Sequence, residues 1–554
     1  LIKIIIDVVW TKIFINNNTN NNYNVIEIKK NILEKFRFHP NGYFFSKRYR
    51  NIILDAYTPI DEDYKKNNGE IIPKGTILDE PYRQWDGYVN LVMDKQSFIL
   101  TYTGMVPKII KYFQEMGYEY QVIKNYNNNV EIKDIELKGI NLRYYQKEAV
   151  DIFKKKKRGI LHMATGSGKS ICMYKITADI KLNTLIIVNR VTLLRQLLRG
   201  FKSCLNLKNN EINVISGDDK FYDPNNRITV ATFQSLFVED KNKKITLKHE
   251  EILKSAEMLI SDEVHHASLN ELGMILKKCK NSIYRCGLSA TPKREDGYDD
   301  MLEAHIGPII YHKGISDLIR EGYLSKPKIY MIKSPYYLDK PLTYKSAYKH
   351  IVKDENINKT IAEIAYKFAK TGKSVLISFT RIEHLKIIYK LLEEMNNLNL
   401  TIKTVIGEDT ADEKEEALLK LDTKEFNIVL STLFGEGCDI PGLDILCNVR
   451  NSKSSNDVIQ QTGRALRMSG NKRPIVIDFM LYNTFNGERN ESDLLNINDI
   501  NLMDGEQIDN DEDVEVKDYF KSYSKLRYKF YKSEPEFEVY IVDNINEIEE
   551  IKNL

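Results

Sequence analysis

The stretch Gly159 to Ser170, GILHMATGSGKS, constrains this chain more than any other. The apolar run Ile160 to Met163 reads as a buried strand, and a helical pattern follows from Ile171. Between them, Ala164 to Ser170 supplies the glycine-rich turn of a phosphate-binding loop. Gly166 and Gly168 let backbone N–H groups turn inward around phosphate oxygens, and the helix start behind them adds a positive dipole end. Lys169 is placed to reach β- and γ-phosphates, and Ser170 to hold Mg²⁺. Met163 stands where the strict G-x-x-x-x-G-K-[ST] pattern has its first glycine, so the loop alone also suits an ordinary turn.

A second strand strengthens the nucleotide reading. Glu257 to Ile260 is apolar enough to be buried and delivers Asp262-Glu263-Val264-His265. Two carboxylates at a strand end suit a Mg-nucleotide site: Asp262 for the cation and Glu263 to orient and deprotonate water. Gln146, just before the loop domain, has a side-chain amide that can read an adenine edge. Ser289-Ala290-Thr291-Pro292 follows the strand Ile283 to Leu288 and offers small hydroxyls between a nucleotide site and a bound strand. Further on, Gln460 to Arg467 reads QQTGRALR, with Arg464 and Arg467 three apart and expected on one helix face. Arginines brought to a γ-phosphate from a facing domain act as fingers.

Strands and helices alternate on both sides of these motifs. Thr184 to Val188, Val191 to Phe201, Ile212 to Ser216 and Ile228 to Ala231 give the βαβ rhythm of a parallel sheet. A second series starts at Val375 to Thr380, with a helix His384 to Met395 and a strand Asn427 to Ser431. The expected fold class is therefore α/β. Residues 1–125 form a separate α/β domain, 126–312 a first lobe, 313–485 a connecting region and second lobe, and 486–554 a tail. Pro327, Pro335 and Pro341 are expected to interrupt the connecting region 313–370. The tail is expected to hold an acidic loop, Asp504 to Glu515, then a basic, aromatic helix and a closing strand Phe537 to Val542. DNA contact by that helix's basic face competes with simple packing.

Net charge is +3, from 81 basic and 78 acidic residues, too small to argue for nucleic acid by itself. Basic character is local: Lys29, Lys30, Lys35, Arg37, Lys47, Arg48 and Arg50 are interleaved with Phe36, Phe38, Tyr43, Phe44, Phe45 and Tyr49. That mixture suits a nucleic-acid surface, or a core with a solvated face. The 6 cysteines form no C-x-x-C pair and read as free thiols in a reducing compartment. No apolar run is long enough to span a bilayer. The opening LIKIIIDVVW lacks the features of a signal peptide, and the first residue is not Met, so the true start is expected to be missing.

The ordered set Gln146, ATGSGKS, DEVH, SAT, GEGCDIP and QQTGRALR resembles the superfamily 2 helicases over about residues 140 to 480. The resemblance implies two RecA-like lobes with ATP and Mg²⁺ between them and nucleic acid across their tops. It gives hydrolysis to Lys169, Ser170, Asp262 and Glu263, and the fingers to Arg464 and Arg467. Gly437 and Asp439 couple the lobes. It also assigns Arg143, Thr165 and Ser167 to the nucleotide, and Arg190, Thr232, Thr380 and Thr432 to the nucleic acid. Lys293 to Gly297, with Arg294, looks like the R-E-D element of XPB-type helicases. Phe38 to Tyr43, Arg48 to Arg50, Trp85 to Leu91, Gly104 to Pro107 and Gly117-Tyr118 resemble the DNA-binding domain of phage UvsW-type helicases. That match places Lys47, Arg48 and Arg50 on DNA; the stretch 52–82 departs from it as an insertion. The resemblance implies a branched-DNA helicase of a phage or prophage, in the host cytoplasm, with replication or recombination proteins as partners.

Three other readings stay open at this point: an RNA helicase, a restriction-system motor, and a non-catalytic duplex-binding scaffold. No nuclease motif stands out. The intact Lys169, Asp262, Glu263, Arg464 and Arg467 weigh against a scaffold.

Overall fold

A computed structural model describes residues 2–15, 25–40, 53–54, 64–65, 71–74, 76, 82–83, 88–126, 130–217, 220–239, 245–264, 269–291, 296–338, 344–433, 440–452, 454–467, 473–484 and 518–552. Three sheets organise them. The first runs in the order Tyr120–Lys124, Ile2–Ile6, Trp10–Ile15, Ile99–Tyr102, Val92–Asp94, with one parallel pairing and three antiparallel ones. Alternating burial along Ile2–Ile6 puts Ile2, Ile4 and Ile6 inside, against Ile28 and Ile32 of the helix Val25–Lys35 and Ile109 and Phe113 of the helix Val106–Glu115. Phe36, one of the aromatics of the basic stretch, belongs to this core. Within 52–82, Ile53–Leu54 pairs with Tyr82–Arg83 and Tyr64–Lys65 with Ile71–Ile72, both antiparallel. The Asn16–Asn22 turn, Asp504–Glu515 and the Lys293–Glu295 part of the R-E-D element lie outside the described residues.

The second sheet has the order Lys220–Phe221, Ile212–Ile215, Ile228–Thr232, Thr184–Val188, Met258–Asp262, Tyr284–Ser289, Arg158–Met163, Ile309–Lys313. Only the Lys220–Phe221 edge runs antiparallel. Thr184–Val188, TLIIV, is buried throughout, as a central parallel strand covered on both faces must be. The third sheet is all parallel, in the order Ile402–Val405, Ile428–Ser431, Val375–Ser378, Ile445–Asn448, Ile475–Asn483, Lys328–Tyr336, Glu538–Val542. The mixed α/β architecture with two large parallel sheets is the one expected.

Two expectations need correction. The region after 313 is less a connector than a structural part of the second lobe: Lys328–Tyr336 is an interior strand of its sheet. Pro335 is tolerated because pairing to Glu538–Val542 stops at Ile332, so Pro335 has a neighbouring strand on one side only. Arg527, counted among the tail's basic residues, is not on a solvent face. It is fully buried on the helix Tyr519–Ser533, whose inner side is Phe520, Ser524, Arg527 and Tyr531.

The first domain is fastened to the second sheet through the helix Asp299–Ile306. Lys108 Nζ lies 2.6 Å from Asp300 Oδ1 and 2.9 Å from Glu303 Oε2. The Tyr102 and His305 rings meet edge-on at 4.6 Å, and Arg158 donates to the Val8 carbonyl. Gly104 sits directly on this helix, where an added Cβ would overlap the backbone oxygens of Glu303 and Ala304. No rotamer relieves such an overlap. Gly104→Val is therefore expected to cost about 1–3 kcal/mol or more at this junction. Limited proteolysis checks it: the variant should release a fragment of about the first domain while the rest of the chain stays resistant.

A pH-dependent weakness is built into the second lobe. His384 Nε2 is 2.8 Å from Asn358 Oδ1, and Asn358 Nδ2 donates to the Val352 carbonyl at 2.9 Å. Burial pushes the His384 ring down to about 4. An unfolded histidine titrates near ~6.5. Above that value the neutral ring costs nothing. As pH falls from there towards the folded value, the unfolded chain takes up a proton that the folded one refuses, and stability drops. His384→Gln is expected to flatten part of this fall, read by urea unfolding at neutral and mildly acidic pH.

Candidate nucleotide site

The carboxyl ends of neighbouring strands of the second sheet converge, which is where open parallel sheets place ligands. The strand Arg158–Met163 ends in the glycine loop, and the helix Lys169–Asp179 starts directly behind it. Gly166 and Gly168 have φ of 80° and 83°, a left-handed backbone that favours glycine. Met163, in the position of the missing first glycine, is fully buried with its sulfur 4.0 Å from Cys172 Sγ. It ends the strand as a core residue, so that position has no need of a glycine.

Tyr145 and Gln146 hold the loop from beneath. The Tyr145 hydroxyl donates to the Ser167 carbonyl at 2.9 Å, and Gln146 Nε2 donates to the same oxygen at 2.8 Å. Gln146 Oε1 accepts the Arg143 N–H at 2.9 Å. Both ends of the amide are thus engaged by the protein, which differs from an amide aimed at an adenine edge. Arg143 donates to the Tyr145 hydroxyl at 3.0 Å and lies 4.7 Å from the Tyr323 ring centre.

Lys169 Nζ lies 3.3 Å from Glu263 Oε1 and 3.4 Å from the Met163 carbonyl. Glu263 follows the strand Met258–Asp262 with φ of 44°, a strained conformation for a residue with a side chain. Asp262 is buried, and its Oδ1 accepts the Glu263 N–H at 3.1 Å. Burial first, and the Glu263 carboxylate second, push Asp262 up to about 7. Lys169 and Arg464 pull it the other way. The Thr165 and Ser167 hydroxyls are buried in the loop with no hydrogen-bond partner among the described residues. Inward-turned loop, cationic amine, carboxylate pair and two waiting hydroxyls fit a magnesium-bound nucleotide.

The second lobe presses onto this loop. A Cβ at Gly463 would stand 2.9 Å from Thr165 Cβ, and one at Gly166 would stand 2.9 Å from Leu324 Cδ2 and 3.7 Å from Arg467 Cγ. The helix Ser455–Ala465 carries Arg464 but stops before Arg467. Ser325 N–H donates to the Leu466 carbonyl at 2.7 Å, and Leu324 bridges Arg467, so the backbone leaves the helix there. The two arginines are therefore not on one helix face, yet both reach the site: Arg464 acts on Asp262 and Arg467 lies over Gly166.

Residues 139–294 match the family described as type III restriction enzyme, res subunit, and residues 355–469 match the helicase conserved C-terminal domain. The chain thus carries the two domains found in superfamily 2 helicases. It is 28% identical over 449 residues to the "DNA 3'-5' translocase XPB2" of Sulfurisphaera tokodaii, covering 74% of this chain and 96% of the relative. It is 26% identical over 421 residues to the "ATP-dependent DNA helicase uvsW" of Enterobacteria phage T4, covering 71% and 80%. Its fold matches that of an ATP-dependent type ISP restriction-modification enzyme bound to DNA, with a TM-score of 0.51 and 18% identity over 80% of this chain and 35% of the other.

Around this site, Arg190, Thr380 and Thr432 follow the carboxyl ends of parallel strands, and Thr232 is the last residue of its own. Arg190 and Thr380 are exposed, and the Thr380 hydroxyl donates to the Arg450 carbonyl at 3.0 Å. Thr432 is half-buried. Thr232 departs from the expected surface contact: it is buried, with its hydroxyl 2.6 Å from Ser235 Oγ. Lys47, Arg48, Arg50, Arg294, Gly437 and Asp439 lie outside the described residues. Sequence reasoning missed Tyr145, Tyr323 and Leu324. Tyr145 was within reach, one residue before Gln146; the other two come close only through the fold. Among the described residues, no helix is long and apolar enough to cross a membrane.

Proposed function

We propose that this protein is an ATP-driven DNA motor that remodels branched DNA, migrating junctions, regressing forks and unwinding R-loops in recombination and replication restart. One observation carries the motor reading: Gly463 and Arg467 of the second lobe meet the same loop that Lys169, Asp262 and Glu263 flank in the first, and the charge of Arg464 is felt at Asp262. Lys169 leaves Glu263 to hold the β- and γ-phosphates. Ser170 and Asp262 would hold Mg²⁺, which would screen phosphate charge. Glu263 orients and deprotonates the attacking water, and Arg464 and Arg467 neutralise charge developing on the γ-phosphoryl group. Gly166, Gly168, Thr165 and Ser167 line the phosphates, Arg143 sits towards the base, and Gln146 braces the loop through the Ser167 carbonyl. Gly437 and Asp439 couple the lobes.

DNA lies along the carboxyl-end edges of both parallel sheets, near Arg190, Thr380 and Thr432, with Arg294, Lys47, Arg48 and Arg50 adding contacts. Residues 1–125 act as the DNA-binding domain, 126–312 and 313–485 as the two motor lobes, and 486–554 as a tail, of which the helix Tyr519–Ser533 and the strand Glu538–Val542 pack on the second. Mostly backbone contact gives little sequence preference. The phage T4 relative, an ATP-dependent DNA helicase, supports DNA as substrate. A labelled replication fork tests the branched-DNA role. ATP-dependent conversion to regressed duplex, lost in Lys169→Ala, is the expected result; unwinding of RNA duplexes alone would refute it. The family description of residues 139–294 favours a second reading, the motor of a restriction system. That reading predicts stimulation by linear duplex no weaker than by forks.

A further inference from the structure

We propose that Arg527, on the C-terminal helix, is a positioning residue for the arginine-bearing helix Ser455–Ala465. The proposal rests on the finger reading of Arg464 and Arg467. Arg527 and Asp478 form an ion pair whose side chains are wholly removed from solvent. Arg527 Nε lies 3.0 and 3.1 Å from the two Asp478 oxygens. Its Nη2 donates to the Phe479 carbonyl at 2.8 Å and to Asn451 Oδ1 at 3.3 Å. The Tyr531 hydroxyl and Asn448 Nδ2 add donors to Asp478 Oδ2, at 2.8 and 3.1 Å.

Two of these partners, Asn448 and Asn451, bracket one short stretch. Asn448 ends the strand Ile445–Asn448, and its Oδ1 accepts the Arg450 N–H at 3.3 Å. Asn451 is buried with φ of 50°, a left-handed turn that asparagine tolerates. Val449 N–H donates to Ser378 and Thr380 Oγ1 donates to Arg450, so the same stretch touches the loop after Val375–Ser378. Four residues beyond Asn451 the helix begins that ends at Arg464 and Ala465. Helix packing alone would be served by apolar residues, since a dry ion pair is costly to build. What the guanidinium adds is a rigid fork of donors, aimed at once into the sheet and the turn. Arg527 thereby fixes where the helix enters and how Arg464 and Arg467 stand over the loop.

Steady-state ATP hydrolysis of the full chain tests this. Asn451→Gly keeps the left-handed turn and removes the side-chain acceptor, together with the Nδ2 donor to the Val449 carbonyl that Asn451→Asp also lacks. It is expected to lower kcat about 10–10²-fold, with KM for ATP nearly unchanged and the thermal unfolding midpoint preserved. Asn451→Asp keeps an acceptor oxygen and is expected to restore most of the rate. Arg527→Ala is expected to lose both rate and stability, which is why the Asn451 pair carries the test. Full activity of Asn451→Gly, with Arg464→Ala inactive, would overturn the positioning role alone. Equal loss in Asn451→Gly and Asn451→Asp would also overturn it. Full activity of Arg464→Ala would overturn the finger reading and this proposal with it.

Discussion

Glu263→Gln is expected to slow ATP hydrolysis about 10²–10⁴-fold while nucleotide binding survives. The carboxylate stands at the end of its strand in a left-handed conformation, 3.3 Å from the amine of Lys169. Backbone strain at such a point persists only where surrounding structure imposes it. The amide keeps the shape of the side chain but cannot accept the proton of an attacking water. Removing the charge also removes the second-largest influence that raises Asp262, so the cation side of the site is expected to improve rather than suffer. Single-turnover hydrolysis and equilibrium binding of a fluorescent nucleotide separate the two effects. A variant that hydrolyses at the full rate would place the base elsewhere.

Arg464→Ala is expected to show a still larger loss in kcat, since an arginine supplied to a transferring phosphoryl group contributes about 10³–10⁵ in rate. Affinity for ATP should change much less, because the loop, Lys169 and Asp262 belong to the other lobe. Gly463→Val offers a complementary route that touches no charged group. Its Cβ alone would come within 2.9 Å of Thr165 Cβ, and the branched side chain would wedge the helix away from the loop. It too should lose hydrolysis while binding nucleotide. If Arg464→Ala lost affinity and kept kcat, the arginine would be a binding residue and not a finger.

The sequence made the loop, the carboxylate pair and the strand rhythm legible because each is local. Thr184–Val188 matched its expected bounds, since a continuous apolar run with turn residues on either side has few alternatives. What escaped depends on distant partners. Pro335 read as an interruption, yet it lies in a strand of the second sheet because its missing N–H faces a side with no paired neighbour. Arg467 read as helical, but pairing with Leu324, far back in the chain, draws it out of the helix. Gln146 read as a base reader, while its amide bonds to Ser167 and Arg143. Arg527 lies in a basic, aromatic helix, and nothing in its own stretch announces Asp478, 49 residues earlier.

The most direct measurement is steady-state ATP hydrolysis by the full chain, alone and with single-stranded DNA, linear duplex, a fork, a four-way junction and single-stranded RNA, alongside Lys169→Ala. The account predicts hydrolysis stimulated most by the fork or the junction and abolished by the substitution, which removes the amine 3.3 Å from Glu263. Hydrolysis that ignores every nucleic acid, or that persists without Lys169, would contradict it.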